Sequence, residues 1–133
     1  FAIYSNIQVP KNRWTHVAYT NESGQLRLFI DGAVVAEKQV RGRPAQLGYQ
    51  NVAIGGNNCC PGYYEVINGL IDEVRISDIA RYAGSFEPPR REFDPDPHTL
   101  LLMHFTAGGE NVGLIGDDVI PSEFHSIVSC AAI

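Results

Sequence analysis

Size and composition limit what this chain can be. It has 133 residues, of which 44% are hydrophobic and 19% charged, a balance typical of one globular domain rather than a disordered segment. The formal net charge of -5 and the lack of a basic block in the sequence argue against nucleic acid as the main partner. No apolar run in the sequence approaches the length of a membrane span.

The N-terminal part predicts strands joined by tight turns. Residues 1–4 and 14–21 are rich in aromatic and β-branched residues. The segment Asn21–Gly24 predicts a four-residue turn, because Gly24 readily takes a positive φ. Asp31-Gly32 is a strong hairpin signal, so a return strand is predicted over 34–40.

The segment 25–31 between these turns predicts a half-buried strand, because its residues alternate with a period of two. The inward set is Leu26, Leu28 and Ile30, and the outward set is Arg27, Phe29 and Asp31. Further strands are predicted over 51–55, 64–77 and 99–105, with a proline-rich loop over 84–98. The predicted core is Leu26, Leu28, Ile30, Val74, Ile76 and Leu102.

Three separated blocks carry a family resemblance. They are the run from Trp14 to Gly32, then Ile54-Gly55-Gly56, then the stretch from Gly69 to Arg81. In this order they resemble the laminin G-like / concanavalin A-like lectin–glucanase superfamily over residues 1–105. The resemblance implies an all-β fold, an antiparallel two-sheet β-sandwich of the jelly-roll type. Residues 106–133 are then a C-terminal extension.

The resemblance also raises the question of how the sandwich is completed. Similar domains carry strands ahead of the Trp14 block, whereas this chain begins at Phe1, so we expect a processed product or a fragment. The gap predicts an added strand, because unpaired edges attract another chain. The strand comes from a neighbouring copy, from a separate partner chain or from the chain's own segment 124–133, and a neighbouring chain is favoured.

The three cysteines leave two interpretations open. Either they are small buried thiols, or Cys130 forms a disulfide with Cys59 or Cys60 and leaves one thiol for another chain. The run 57–62 is predicted to be a loop, where exposure favours the disulfide. An oxidising compartment would make that bond stable.

Aromatic residues next to polar ones are candidates for sugar binding. Tyr63 and Tyr64 follow the loop that carries Asn57 and Asn58, and this group is the candidate ligand-binding site. Trp14 is expected to pack in the core instead.

Catalysis is not expected. Asp72 and Glu73 are adjacent, so in a regular strand they face opposite sides and do not form the carboxylate pair of a glycosidase. Glu73 and Arg75 are predicted to face outward, and Asp72 to hydrogen-bond a neighbouring loop. His16 is predicted to be a structural histidine.

Calcium is the one cofactor that the resemblance suggests. Asp94 and Asp96 are weak candidate ligands, and Asp117 and Asp118 supply further carboxylates, but no spaced ligand loop is present in the sequence. Asn21-Glu22-Ser23 also fits the N-glycosylation pattern.

Two functions follow from these observations. The first is a non-catalytic binding or adhesion module for carbohydrate or a cell-surface protein partner, extracellular or on a cell or virion surface. The second is a structural subunit of an extracellular or viral assembly, joined to other copies of the same chain by strand complementation.

Overall fold

The protein is built from antiparallel strands. The computed structural model describes residues 3–41, 56–60, 63–66, 68–105 and 127–132, and in 56–60, 63–66 and 127–132 it describes the backbone. The strands in this part of the chain are β1 (Thr15–Glu22), β2 (Gln25–Ile30), β3 (Ala33–Gln39), β4 (Gly56–Cys60), β5 (Tyr63–Val66), β6 (Ile71–Ser77), β7 (Thr99–Met103) and β8 (Ile127–Ala132).

The strands form two sheets. One has six strands in the order β3-β2-β1-β8-β6-β7, and the other consists of β4 and β5. Every pair among them is antiparallel. The predicted all-β, antiparallel, two-sheet character is therefore confirmed.

Both predicted turns of the first three strands are present. Asp31 and Gly32 have φ values of 49° and 76°, typical of a two-residue type I′ hairpin turn between β2 and β3. The first turn is shorter than predicted and consists of Ser23-Gly24, because β1 continues through Glu22. Asn21 thus lies in the strand, where its Oδ1 accepts a hydrogen bond of 3.1 Å from the Gly24 N–H.

Strand β2 is buried on both faces rather than on one. Phe29, predicted to face outward, is 0% exposed and packs edge-on against Tyr82 and Phe86, with ring centroids 5.9 and 5.4 Å away. Leu28 is only half-buried, because the register with β3 shifts between Leu28 and Phe29. The remaining five predicted core residues are buried: Leu26, Ile30, Val74, Ile76 and Leu102.

The chain between β6 and β7 explains this double burial. As predicted, residues 84–98 are a loop. The Phe86 N–H donates to the Gly32 carbonyl over 2.9 Å, and the Tyr82 and Phe86 rings stack with centroids 3.5 Å apart. These aromatic rings cover the sheet face that carries Phe29 and Ala18. The sequence pattern of β2 does not reveal this loop.

An ion pair anchors the same loop. Arg81 donates two hydrogen bonds of 2.7 Å to Asp96 and one of 2.6 Å from its Nε to the Ser77 hydroxyl. Asp96 also accepts from Thr99 and from the His98 N–H. The Arg81 hydrogen bonds are the main reason that the pKa of Asp96 lies well below its ordinary value of 3.8.

We expect Asp96→Asn to lower the free energy of unfolding at pH 7 by about 1 kcal/mol, because the side chain of Asp96 is 38% exposed and solvent screens the pair. A carboxyl whose folded pKa is depressed contributes stability above its unfolded pKa and loses it as the pH falls. Urea denaturation between pH 7 and pH 3 should therefore show the two proteins converging below pH 4. A gap that stays constant over this range would contradict the ion-pair account.

Several predicted strand limits differ from the structure. Residues 3–4 are not in a strand, and residues 1–2 and 51–55 lie outside the described residues. The predicted strand 64–77 is two strands, because the chain bends at Asn68-Gly69. The predicted loop at Asn57–Cys60 is strand β4. Its pairing with β5 overrides the polar sequence, with a register shift between Asn57 and Cys60.

The C-terminal segment pairs within its own chain. Strand β8 lies between β1 and β6, with Thr15 opposite Ala132 and Ser77 opposite Ile127. Of the predicted sources of an added strand, the chain's own segment therefore fills the position between β1 and β6. Pairing of a neighbouring chain elsewhere stays a prediction. The domain limits 1–105 and 106–133 stay a prediction.

Candidate functional site

An open cleft of about 560 Å³ lies beside the start of β1. Its lining comes from four segments that are distant in sequence: 13–16 at the start of β1, Asp31 in the β2–β3 turn, Asp72 and Glu73 in β6, and 87–93 in the proline-rich loop. A cleft assembled from strand ends and a covering loop is a common form of ligand site.

Trp14 is the aromatic side chain of this cleft, contrary to the prediction that it packs in the core. Its side chain is 49% exposed, whereas the following residue, Thr15, is 1% exposed. Strand β1 begins at Thr15, so Thr15 takes the first inward position and Trp14 stays outside the alternation. The indole therefore lies at the surface and lines the cleft.

The β2–β3 turn fixes the start of β1. The Asp31 carboxylate accepts hydrogen bonds from the His16 N–H at 3.0 Å and from the Arg13 guanidinium. In return the Asp31 N–H donates to the His16 carbonyl over 2.8 Å. Contacts on both sides of Trp14 thus tie this segment to the hairpin.

His16 belongs to the aromatic packing under the cleft. Its ring lies edge-on to Phe86 and Phe93, with centroids 5.4 and 6.5 Å away. Burial lowers the pKa of His16, and the charge of Asp31 opposes this effect. The packing fits the structural role predicted for this residue.

The predicted geometry of Asp72 and Glu73 is wrong. In the pairing of β6 with β8, β6 advances by three residues from Asp72 to Arg75 while β8 advances by two. Glu73, within this step, has a φ of 54°. This irregularity is a β-bulge, in which side chains no longer alternate. Asp72 and Glu73 consequently both line the cleft.

The bulge also turns Glu73 and Arg75 away from their predicted outward positions. The side chain of Glu73 is only 16% exposed, and Arg75 is buried, with its guanidinium carbon 4.1 Å from the centre of the Phe93 ring. Such a cation–π contact joins β6 to the proline-rich loop.

Both carboxylate oxygens of Glu73 have partners. Oε2 accepts the Phe93 N–H at 2.8 Å, and Oε1 lies 2.7 Å from Nδ1 of His104. The Glu73 N–H itself donates to Asp72 Oδ1 at 3.0 Å, so Asp72 hydrogen-bonds the bulge rather than a neighbouring loop. Glu73 is therefore a structural bridge between β6, β7 and the loop.

The ligand-binding residues predicted from the sequence belong to the two-stranded sheet. Asn57 and Asn58 are in β4 and Tyr63 and Tyr64 in β5, and their side chains lie outside the described residues. The same holds for Cys59 and Cys60 in β4 and for Cys130 in β8, so the disulfide stays a prediction.

The described residues lend no support to the calcium prediction. Asp96 is engaged by Arg81, and Asp94 is exposed, 3.5 Å from Arg91. Within the described ranges, no group of three or more His, Cys, Asp or Glu side chains is placed to hold a metal ion. Asp117 and Asp118 lie outside those ranges.

Comparison with known families gives the identity of the fold. A laminin G-type family model, described as the concanavalin A-like lectin/glucanases superfamily, matches residues 1–84. The chain belongs to this superfamily. Laminin G-like domains of the superfamily are generally binding modules without catalytic activity, and they are commonly extracellular or surface-associated. The match includes β1 to β6 and therefore half of the residues that line the cleft, but not segment 87–93.

Two other comparisons gave no match. Neither the curated proteins nor the solved structures contain a significant match to this member of the superfamily. In the described part of the chain, no helix is long and apolar enough to cross a membrane.

Proposed function

We propose that the chain is a non-catalytic binding module that takes a carbohydrate in the Trp14 cleft, in an extracellular or surface location. The observation that carries the proposal is the half-exposed indole in the lining of an open cleft. The apolar face of a sugar ring stacks on such an indole, and the surrounding polar groups then select its hydroxyls.

The polar lining suits hydroxyl recognition. Asp72 and Glu92 supply carboxylate acceptors, and Arg90 and Arg91 supply guanidinium donors. The two arginines pair only loosely with Glu87 and Asp94, at 3.7 and 3.5 Å, and are highly exposed. Because exposed pairs at such distances contribute little, a ligand can compete for them.

Binding without hydrolysis agrees with the geometry of Glu73. A glycosidase needs one carboxyl to donate a proton and a second to act as base or nucleophile. Glu73 uses both oxygens for Phe93 and His104 instead. Family membership supports binding without hydrolysis. It also supports a two-sheet sandwich of jelly-roll topology as the complete fold.

The alternative of a structural subunit has less support. Strand complementation requires an open position for a foreign strand, and β8 of the same chain fills the position between β1 and β6. A binding module of this kind can take a protein partner instead of a sugar. We propose carbohydrate as the ligand because the cleft presents an aromatic side chain.

The test is binding of Trp14→Ala to three immobilised probes, cellohexaose, chitohexaose and a heparin hexasaccharide, with unaltered protein as reference. We expect at least one probe to bind, and the substitution to weaken it roughly 10-fold or more, since stacking on an aromatic face is worth about 1–3 kcal/mol. Trp14→Phe should restore part of the affinity.

Matched variants locate the site. Tyr4→Ala removes an exposed aromatic that does not line the cleft and should change nothing. Tyr63→Ala and Tyr64→Ala test the β4–β5 site predicted from the sequence, and we expect full binding from both. The proposal would be contradicted if these two variants lost binding while Trp14→Ala kept it. Hydrolysis of a probe by the unaltered protein that is abolished in Glu73→Gln would also contradict it.

A further inference from the structure

A chain of contacts links the end of β7 to the wall of the cleft. His104, just after β7, lies 2.7 Å from Oε1 of Glu73, and the other oxygen of Glu73 accepts the Phe93 N–H at 2.8 Å. Glu73 and Phe93 both line the cleft. One carboxylate therefore connects a titratable ring to the part of the proline-rich loop that forms the cleft wall.

Glu73 depends on these contacts for its position. Its φ of 54° is a conformation that a residue with a Cβ adopts only at a cost, so its surroundings must hold it. The side chains of Glu73 and His104 are 16% and 18% exposed, which limits solvent screening of the bond between them.

In the described part of the chain, the charged groups that act on His104 are three carboxylates. Glu73 and Asp72 face it from β6 and Glu92 from the proline-rich loop. The hydrogen bond with Glu73 is the largest influence on the pKa of His104 and raises it above the ordinary 6.5. Partial burial lowers this pKa, and the charges of the three carboxylates raise it further. Near neutral pH, His104 is thus placed to change charge.

We propose that His104 and Glu73 are positioning residues for the Phe93 wall of the cleft, and that protonation of His104 tightens this wall and strengthens ligand binding. A protonated ring gives Glu73 a charge-assisted hydrogen bond, which is shorter and stronger than the bond from a neutral ring. The inference rests on the proposed carbohydrate site for its effect on binding, but not for its effect on the wall.

The sign of the pH effect follows from linkage. A group whose folded pKa is raised contributes its stabilisation below the unfolded value, and this stabilisation is lost as the pH rises through the folded value. The wall is thus held most firmly below pH 6.5 and loosens at higher pH. His16, which also lines the cleft, has a lowered pKa and titrates on the acid side of 6.5.

Trp14 fluorescence tests the wall without any ligand, because Trp14 is the single tryptophan of the chain. Emission of the full chain is recorded from pH 5 to pH 9. We expect a step above pH 6.5 that is lost in His104→Gln, while any step from His16 below pH 6.5 remains. His98→Gln, which alters an exposed histidine paired with Asp78, and His125→Gln are the matched controls and should keep the step.

Glu73→Gln provides a second variant in case His104→Gln does not fold. Its amide oxygen still accepts the Phe93 N–H, but the Glu73 carboxylate, the largest influence on His104, is gone, so the midpoint of the NMR titration of the His104 ring should move back toward 6.5. In parallel, binding of whichever of the three oligosaccharide probes binds should weaken roughly 3- to 10-fold between pH 5.5 and pH 8.5, and in His104→Gln this dependence should disappear.

The outcomes separate the two proposals. A step above pH 6.5 that persists in His104→Gln, or its absence from the unaltered protein, would overturn the positioning role. If no oligosaccharide binds while the step behaves as expected, the carbohydrate proposal fails and the positioning of the wall stands.

Discussion

Phe29→Ala should lower the free energy of unfolding by about 3–5 kcal/mol, the range for truncating a fully buried aromatic residue. Phe29 is 0% exposed and contacts the rings of Tyr82 and Phe86, so the substitution leaves a cavity between the sheet and the covering loop. Urea denaturation followed by circular dichroism measures the effect.

Leu28→Ala is the matched control on the neighbouring residue. Leu28 is only half-buried, and we expect a cost below about 2 kcal/mol. The alternation pattern of β2 predicts the reverse order, with Leu28 inside and Phe29 outside. An equal or larger effect at Leu28 would show that the loop does not cover Phe29 as the structure has it.

Gly32→Ala is the second large effect, with an expected loss of at least about 3 kcal/mol. A Cβ at this position would lie 1.9 Å from the Phe86 carbonyl oxygen, and the φ of 76° is already unfavourable for any residue with a side chain. The Phe86 N–H donates a hydrogen bond to the Gly32 carbonyl, so the loop lies close to the hairpin here and must move away from it to admit the Cβ. A thermal or urea melt of the purified variant measures the loss.

Gly84→Ala is the control for this substitution. It lies in the same loop, and no heavy atom lies within 4 Å of an added Cβ. The change should stay within about 0.5 kcal/mol, the usual range for surface substitutions. A comparable loss at both glycines would indicate a general sensitivity of the loop rather than the close approach at Gly32.

Local chemistry in the sequence was sufficient to predict the first three strands. The hairpin at Asp31-Gly32 follows from residues that accept positive φ, and β1 and β2 follow from their β-branched and alternating residues. The order of the three sequence blocks was not needed for these elements, but it did indicate the superfamily that the family match confirms.

The cleft could not be predicted in the same way, because it depends on contacts between distant segments. The bulge at Glu73 brings two adjacent carboxylates to one site, and no local signal in Asp72-Glu73 distinguishes it from a regular strand. For Trp14, β1 begins one residue later than predicted, at Thr15, so the indole lies ahead of the strand and at the surface. The polar run Lys11-Asn12-Arg13 before it was the available signal.

Pairing with partner strands also decided β4 and β8. The residues Asn57 and Asn58 have low strand propensity, yet β5 pairs with this segment. For β8 the sequence indicated an apolar strand but not its neighbours, because nothing in Ile127–Ala132 specifies β1 and β6 as partners. Topology of this kind is a property of the whole sheet.

The most direct test of the cleft as the binding site is the indole N–H signal of Trp14 in ¹H–¹⁵N NMR spectra. As the chain has one tryptophan, the signal needs no further assignment. During titration with the oligosaccharide probe that binds, we expect a saturable shift of this signal with the same dissociation constant as that measured for the immobilised probe. An unchanged indole signal in a protein saturated with that probe would contradict it.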